Sequence, residues 1–133
     1  MQKKVCLFPL ILLVLLSLMS CERHRPINVP GLSDFEAELK DEYEYVSRIK
    51  CILNNPTCYT VRCKLTKHVI PEKMPDLIAL LKEYALTDVF ETQCGPNRDN
   101  VQIVFLDFYV GTSYYFGYRY YMGGYDEPVW EIE

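Results

Sequence analysis

The sequence predicts an α+β domain in which two helices pack on an antiparallel sheet, in the order helix, strand, helix and then a β-meander. Three observations predict this class. Two segments have apolar residues at helical spacing behind a helix-start signal. A segment between them alternates apolar and polar residues, as half-buried strands do. In the last third of the chain, glycine turns separate further alternating segments, so we expect neighbouring strands to pair there.

The first helix is predicted from Ser33 to about Leu53. Residues 33–36 (Ser-Asp-Phe-Glu) match a capping box, in which Ser33 accepts from a backbone N–H and Glu36 reaches back to Ser33. Apolar residues then recur at helical spacing, and acidic residues fill the first half, which suits the helix dipole. Asn54-Asn55-Pro56 is expected to stop the helix.

Three elements are predicted in the middle of the chain. Residues 58–67 alternate as a strand. A second helix lies within residues 71–86 and starts near Pro75, because proline is favoured at the first helical position. Residues 88–93 are interpreted as a short strand that ends in loop-forming residues.

The carboxyl-terminal third predicts the meander, with strands at residues 101–110, 113–122 and 128–133. Gly111-Thr112 fits a type II′ turn with glycine first. This turn would place Tyr109 opposite Tyr114 and Phe105 opposite Tyr118. Pro128 fits an edge strand, since proline cannot donate to the ladder.

The meander would create an aromatic surface, which is the best candidate for a binding site. Tyrosine and tryptophan combine a large contact area with a polar group and are enriched at binding hot spots. The alternative is that they are half-buried sheet residues, which strands favour in any case. The candidate binding residues are Tyr109, Tyr114, Phe116, Tyr118, Tyr120, Tyr125 and Trp130.

The first twenty residues have a different character. Lys3 and Lys4 precede an uninterrupted apolar run at residues 5–16, and small residues follow. This order is typical of a secretory signal peptide, and the run is short of the about 20 apolar residues that span a bilayer. We predict a signal peptide at residues 1–20, a lipidated cysteine and tether at 21–32, and one globular domain at 33–133.

The signal ends in Leu18-Met19-Ser20-Cys21, which resembles the lipobox of bacterial lipoproteins. In that family a diacylglycerol is attached to the cysteine sulfur, the chain is cut before the cysteine, and the new amino terminus is commonly acylated, for example with palmitate. The resemblance implies an exported protein, lipid-anchored at Cys21 on the cell membrane or outer membrane. An ordinary cleaved signal and an uncleaved anchor are the alternatives.

The cysteine count agrees with lipidation. Cys6 leaves with the signal, so a modified Cys21 leaves an even number of cysteines, which permits two disulfides. We favour Cys51–Cys58 across the expected helix-to-strand turn, and Cys63–Cys94. An unmodified Cys21 would leave five cysteines and hence one unpaired thiol.

Composition and motifs argue against several function classes. Loss of Lys3 and Lys4 lowers Lys+Arg from 14 to 12 against 18 Asp+Glu, so the formal charge moves from −4 to −6. An acidic chain is a poor match for nucleic acid. No metal, nucleotide or nucleophile motif is recognisable. We therefore predict no cofactor, no metal and no enzymatic activity.

The sequence thus predicts a membrane-anchored, non-catalytic binding module of the cell envelope, with a protein as the expected partner. One alternative is a small envelope hydrolase that uses Asp107 or His68. The other is a freely secreted, disulfide-stabilised binding protein. A concave pocket at Asp107 would favour the hydrolase, whereas a flat sheet would favour the binding module.

Overall fold

A computed structural model describes residues 24–94, 101–122 and 130–132, with Cys94 described in its backbone alone. Within these residues the strands are β1 Arg25–Pro26, β2 Val46–Asn55, β3 Cys58–Leu65, β4 Ile103–Val110, β5 Ser113–Tyr121 and β6 Trp130–Ile132. The α-helices are α1 Leu32–Glu42, α2 Pro75–Leu86 and α3 Asp88–Cys94, and a 3₁₀ turn covers Pro71–Lys73. The predicted α+β class is confirmed.

All six described strands form one sheet in chain order, from β1 at one edge to β6 at the other. Neighbouring strands are antiparallel except β3 and β4, which are parallel. Parallel neighbours need a crossover connection, and α2 and α3 lie in that connection. The sheet is therefore mixed, with the predicted meander preserved in β4 to β6.

The helices α1 and α2 share one face of the sheet. Phe35 of α1 stacks on Tyr84 of α2, with ring centroids 4.0 Å apart. The core lies between these helices and every second residue of the central strands. Tyr59 is fully buried there, and its hydroxyl donates to the carbonyl oxygen of Ala85 at 2.6 Å, so the sheet and α2 are joined by a satisfied buried hydrogen bond.

The first helix ends at Glu42, and the expectation that it continues to Leu53 is wrong, because residues 46–55 form β2. A β-bulge between Val46 and Arg48 explains the error. It leaves Val46 and Ile49 buried on one face although they are three residues apart, which imitates helical spacing. The strictly alternating part of the strand begins only at Ile49.

The predicted capping box is also absent. Helix α1 starts after Gly31, which has a φ of 81° and makes no side-chain cap. Glu36 instead accepts a hydrogen bond from the backbone N–H of Ile49 at 3.1 Å and pairs with Lys40 at 3.3 Å. Glu36 thus accepts a hydrogen bond from a backbone N–H of β2. Strand β1 pairs with only two residues of β2, so part of that edge is without a partner strand.

Residues that were expected to form a flexible tether belong to the domain. Arg25 and Pro26 pair with Leu53 and Ile52 of β2. Ile27 and Val29 are only 7% and 6% exposed and join the core. The domain therefore includes residues before Ser33, among them β1.

Two further expectations change in the second half. Residues 88–94 form helix α3 rather than a strand. Tyr109 lies opposite Tyr114 as predicted, but a bulge next to Tyr109 shifts the rest of the register by one residue. Phe105 consequently lies opposite Arg119 instead of Tyr118. A shift of one residue exchanges the faces of all the side chains beyond it.

Candidate functional site

The two faces of the sheet are covered unequally. The helices pack on one face. On the other, which we call the open face, the described helices contribute only the start of α1 and Glu36, which border the concavity there. Strand side chains alternate between faces, so the residues between the core positions point to the open face. They include Arg48, Lys50, Ile52, Asn54, Cys58, Thr60, Arg62, Lys64, Ile103, Phe105, Asp107, Tyr109, Tyr114, Arg119, Tyr121 and Glu131.

Four cations lie together on β2 and β3, and we call Arg48, Lys50, Arg62 and Lys64 the cation cluster. Arg48 is directly opposite Lys64, and Lys50 is directly opposite Arg62. Like charges in opposite positions of a sheet destabilise it. This repulsion lowers the pKa of Lys50 below its usual value. The largest cause is the charge of Arg48, followed by the charge of Lys64, partial desolvation and the charge of Arg62. An anion bound at this place would relieve that repulsion.

A concavity of about 940 Å³ lies beside the cation cluster. Arg48, Lys50, Arg62 and Asp107 line it together with apolar Ile52 and Phe105 on the sheet side. Residues of the β1 segment and of the start of α1 form the remaining wall. Its volume lies within the range of roughly 300–1,000 Å³ that is common for ligand sites.

Aromatic rings adjoin the cation cluster on β4 and β5. The guanidinium of Arg62 lies 4.3 Å from the ring centroid of Tyr109, a cation–π distance. Tyr109 meets Tyr114 edge to face at 5.7 Å, and Tyr114 is 49% exposed. Cations and amphipathic rings therefore form one continuous surface.

The structure divides the aromatic residues that the sequence selected as a binding surface. Tyr109 and Tyr114 lie on the open face. Four others lie on the helix-covered face: Phe116, Tyr118, Tyr120 and Trp130. There Phe116 stacks on Phe108, and Tyr120 contacts Trp130. The ammonium group of Lys82 lies over the rings of Tyr118 and Trp130. Tyr125 lies outside the described residues.

Sequence reasoning missed the cation cluster. The sequence does contain a pattern that indicates the cluster. Arg48 and Lys50 are two residues apart, as are Arg62 and Lys64, so the members of each pair share one face of a strand. The signal could be used only after residues 46–55 were recognised as a strand next to β3. Assignment of that segment to a helix placed the two pairs on different elements.

Asp107 has a different neighbourhood from the one predicted. It lies opposite Arg62 on β3 and Gly117 on β5, not opposite Phe116. It lines the concavity together with His24, whereas His68 lies elsewhere and meets the ring of Tyr115 edge to face at 4.9 Å. Across the described ranges, no group of three side chains is arranged to hold a metal ion.

The predicted disulfides are not formed. No disulfide joins Cys51, Cys58 or Cys63, the three cysteines whose side chains the structure describes. Cys51 and Cys63 point to the helix-covered face, and Cys58 points to the open face, because residues 51–55 are a strand and not the end of a helix. Cys51 and Cys58 are thus separated by the sheet itself. Cys63 is a free thiol, so the second predicted disulfide is not formed either.

The thiols of Cys51 and Cys63 are expected to be inert in the folded protein. Burial raises the pKa of each to about 12. At pH 8 only about one thiol in ten thousand would then be the reactive thiolate. We expect neither residue to react with a maleimide at pH 8 until urea unfolds the chain, as measured by mass spectrometry of the labelled peptides. Rapid labelling of Cys51 or Cys63 without urea would contradict their burial.

Three comparisons with known proteins were negative: no family model, no curated protein and no solved structure matches this chain. In the described part of the chain, no helix combines the length and the apolar character that a membrane crossing needs.

Proposed function

We propose that this protein is an exported lipoprotein, anchored to the cell membrane or outer membrane through a lipidated Cys21, and that it acts as a non-catalytic binding module. The lipobox resemblance of residues 18–21 supports the anchor. The open face supports the binding role, and its cation cluster is the observation that carries it.

The cation cluster favours binding over a purely structural role for three reasons. A sheet gains nothing from directly opposed like charges, since they destabilise the pairing. The same residues border a concavity and adjoin exposed aromatic rings, which provide contact area for a partner. Among the described residues, the Nε atoms of Arg62 and Arg119 are also buried without a hydrogen-bond partner. A partner that presents anionic oxygens would offset the repulsion within the cation cluster, and the aromatic rings would add contact area.

A small hydrolase is the second candidate, and the position of Asp107 favours it. Asp107 opens into the concavity rather than onto a flat sheet, which is the arrangement that such an enzyme would need. The histidine beside it would be His24 and not His68. The binding module ranks first because three cations, Arg48, Lys50 and Arg62, line the concavity against two carboxylates, Glu36 and Asp107.

The anchor is tested on the protein purified from membranes with detergent. Trypsin cuts after Arg23, so the amino-terminal peptide of the proposed mature form is Cys21-Glu22-Arg23. We expect mass spectrometry to find this peptide with a diacylglyceryl group and, commonly, one further acyl chain. An unmodified amino terminus at any residue would contradict the lipoprotein proposal.

A further inference from the structure

The polypeptide enters the domain beside the cation cluster. His24, the first described residue, lines the same concavity as Arg48 and Lys50. Strand β1 follows immediately and pairs with β2, the strand that carries Arg48 and Lys50. The amino-terminal entry point and the basic side of the open face are therefore neighbours.

This entry point fixes how far the anchor can be from the domain. Cys21 precedes His24 by three residues. An extended chain covers at most 3.3–3.6 Å per residue, so Cys21 lies within about 11 Å of His24. Charges act over a Debye length of about 8 Å at physiological ionic strength. A lipid on Cys21 would thus bring the headgroups into the electrostatic range of this end of the open face.

We propose that the partner of the open face is the anionic phospholipid headgroup layer of the membrane that carries the anchor. This inference rests on the lipid anchoring proposed above. Lipid phosphates would neutralise the cation cluster and remove the repulsion between Arg48 and Lys64. The rings of Tyr109 and Tyr114 suit the headgroup level, where tyrosine is enriched.

The distribution of charge supports one orientation. Among the residues of the described strands, the open face holds five cations, the cluster and Arg119, against two carboxylates, Asp107 and Glu131. Helix α1 packs on the other face of the sheet, although Glu36 and the start of the helix reach the concavity. It carries five acidic residues and one lysine: Asp34, Glu36, Glu38, Asp41, Glu42 and Lys40. An anionic surface therefore repels the helix side and attracts the open face. The acidic net charge of the whole chain conceals this polarity.

The test uses the full acylated protein, reconstituted into vesicles of phosphatidylcholine alone and of equal parts phosphatidylcholine and phosphatidylglycerol. A membrane-impermeant amine reagent labels the lysines, and mass spectrometry measures the extent at each. We expect the labelling of Lys50 and Lys64 to be at least about fivefold lower on the anionic vesicles than on the neutral ones. Each cation near an anionic surface increases the population of docked domains roughly fivefold. Lys40 of α1 and Lys73 of the 3₁₀ turn serve as internal controls and are expected to label equally on both.

Two further measurements sharpen the result. The difference at Lys50 is expected to vanish in 1 M salt, where the Debye length falls to about 3 Å. It is also expected to vanish in the variant Arg48→Gln/Arg62→Gln, which keeps the anchor. The matched variant Lys67→Gln removes a cation beyond the end of β3 and is expected to retain the difference.

The outcomes separate the two proposals. Protein that does not float with either kind of vesicle would overturn the anchor, and with it the proposed function. Protein that floats with both, but labels equally at Lys50 and Lys64 on both, would overturn headgroup docking and leave the anchor intact. Headgroup docking would also be overturned if Lys50 and Lys64 were protected relative to Lys40 and Lys73 to the same extent on both kinds of vesicle. The protecting partner would then not be the anionic headgroup.

Discussion

Replacement of Cys21 by serine is expected to leave the protein as a precursor that is neither acylated nor cleaved before residue 21. In the lipoprotein family the lipid is added to the cysteine sulfur first and the cut follows, and a serine hydroxyl offers no sulfur for the thioether. We expect the variant to retain residues 1–20 and to lose incorporation of a labelled fatty acid. Immunoblotting for size and for the label measures both.

Cys6 provides the matched control, because it lies in the apolar run of the proposed signal peptide and outside residues 18–21, which resemble a lipobox. Cys6→Ser is expected to be acylated and cleaved like the unaltered protein. If Cys21→Ser were still cleaved to the mature size, an ordinary signal peptide would explain the sequence better. Processing that depends on Cys21 but not on Cys6 is the result that we expect.

The lipid and the cation cluster have different parts in this proposal. Each buried acyl CH₂ contributes about 0.8 kcal/mol, so two long chains outweigh four cations at about 1 kcal/mol each. The proposed anchor would therefore determine whether the protein is on the membrane. The cations would determine which side of the domain faces it, which is why their replacement alters lysine protection and not flotation.

Alternation and turn chemistry predicted much of the fold. Strand β3, with apolar Tyr59, Val61, Cys63 and Leu65 on one face, matches its prediction, and α2 begins at Pro75 as expected. Gly111 adopts a φ of 63° in the turn between β4 and β5, which allows the predicted pairing of Tyr109 with Tyr114. These elements depend on local rules that one stretch of sequence contains.

Two wrong predictions, the long first helix and the register between β4 and β5, have β-bulges as their common cause. A bulge after Val46 disguised β2 as a helix, and a bulge beside Tyr109 moved Tyr118 to the helix-covered face. A single bulge reverses the faces of all later side chains, and nothing in the local pattern marks its position. The cation cluster depended on both the identity and the register of β2, so it was hidden from the sequence.

The prediction of a tether at residues 21–32 was wrong for a different reason. Pro26, Pro30 and Gly31 suggested a tether, although Ile27 and Val29 alternate with Asn28 as strand residues do. Their burial depends on β2 being an incompletely covered strand next to them, which is a tertiary fact. The corrected boundary leaves Cys21 only three residues before the described domain, and the proposed membrane contact follows from that short separation.

The variant Phe108→Ala is expected to cost about 3–5 kcal/mol of the free energy of unfolding. Phe108 is fully buried in the centre of β4, where it stacks on Phe116 with ring centroids 4.6 Å apart. The loss combines the transfer of a large apolar side chain with the cavity left beneath α2 and with the broken aromatic contact. Urea unfolding, followed by circular dichroism, measures it as a lower midpoint at unchanged slope.

Tyr114→Ala is the matched control on the paired strand, since Tyr114 is half exposed on the open face. We expect it to cost about 1 kcal/mol or less, the scale of a cross-strand aromatic pair. A domain of this size has a total stability of only about 5–15 kcal/mol, so Phe108→Ala would leave a substantial unfolded population in the less stable part of that range. Equal costs for the two variants would contradict the assignment of the helix-covered face as the core and of the opposite face as the open surface.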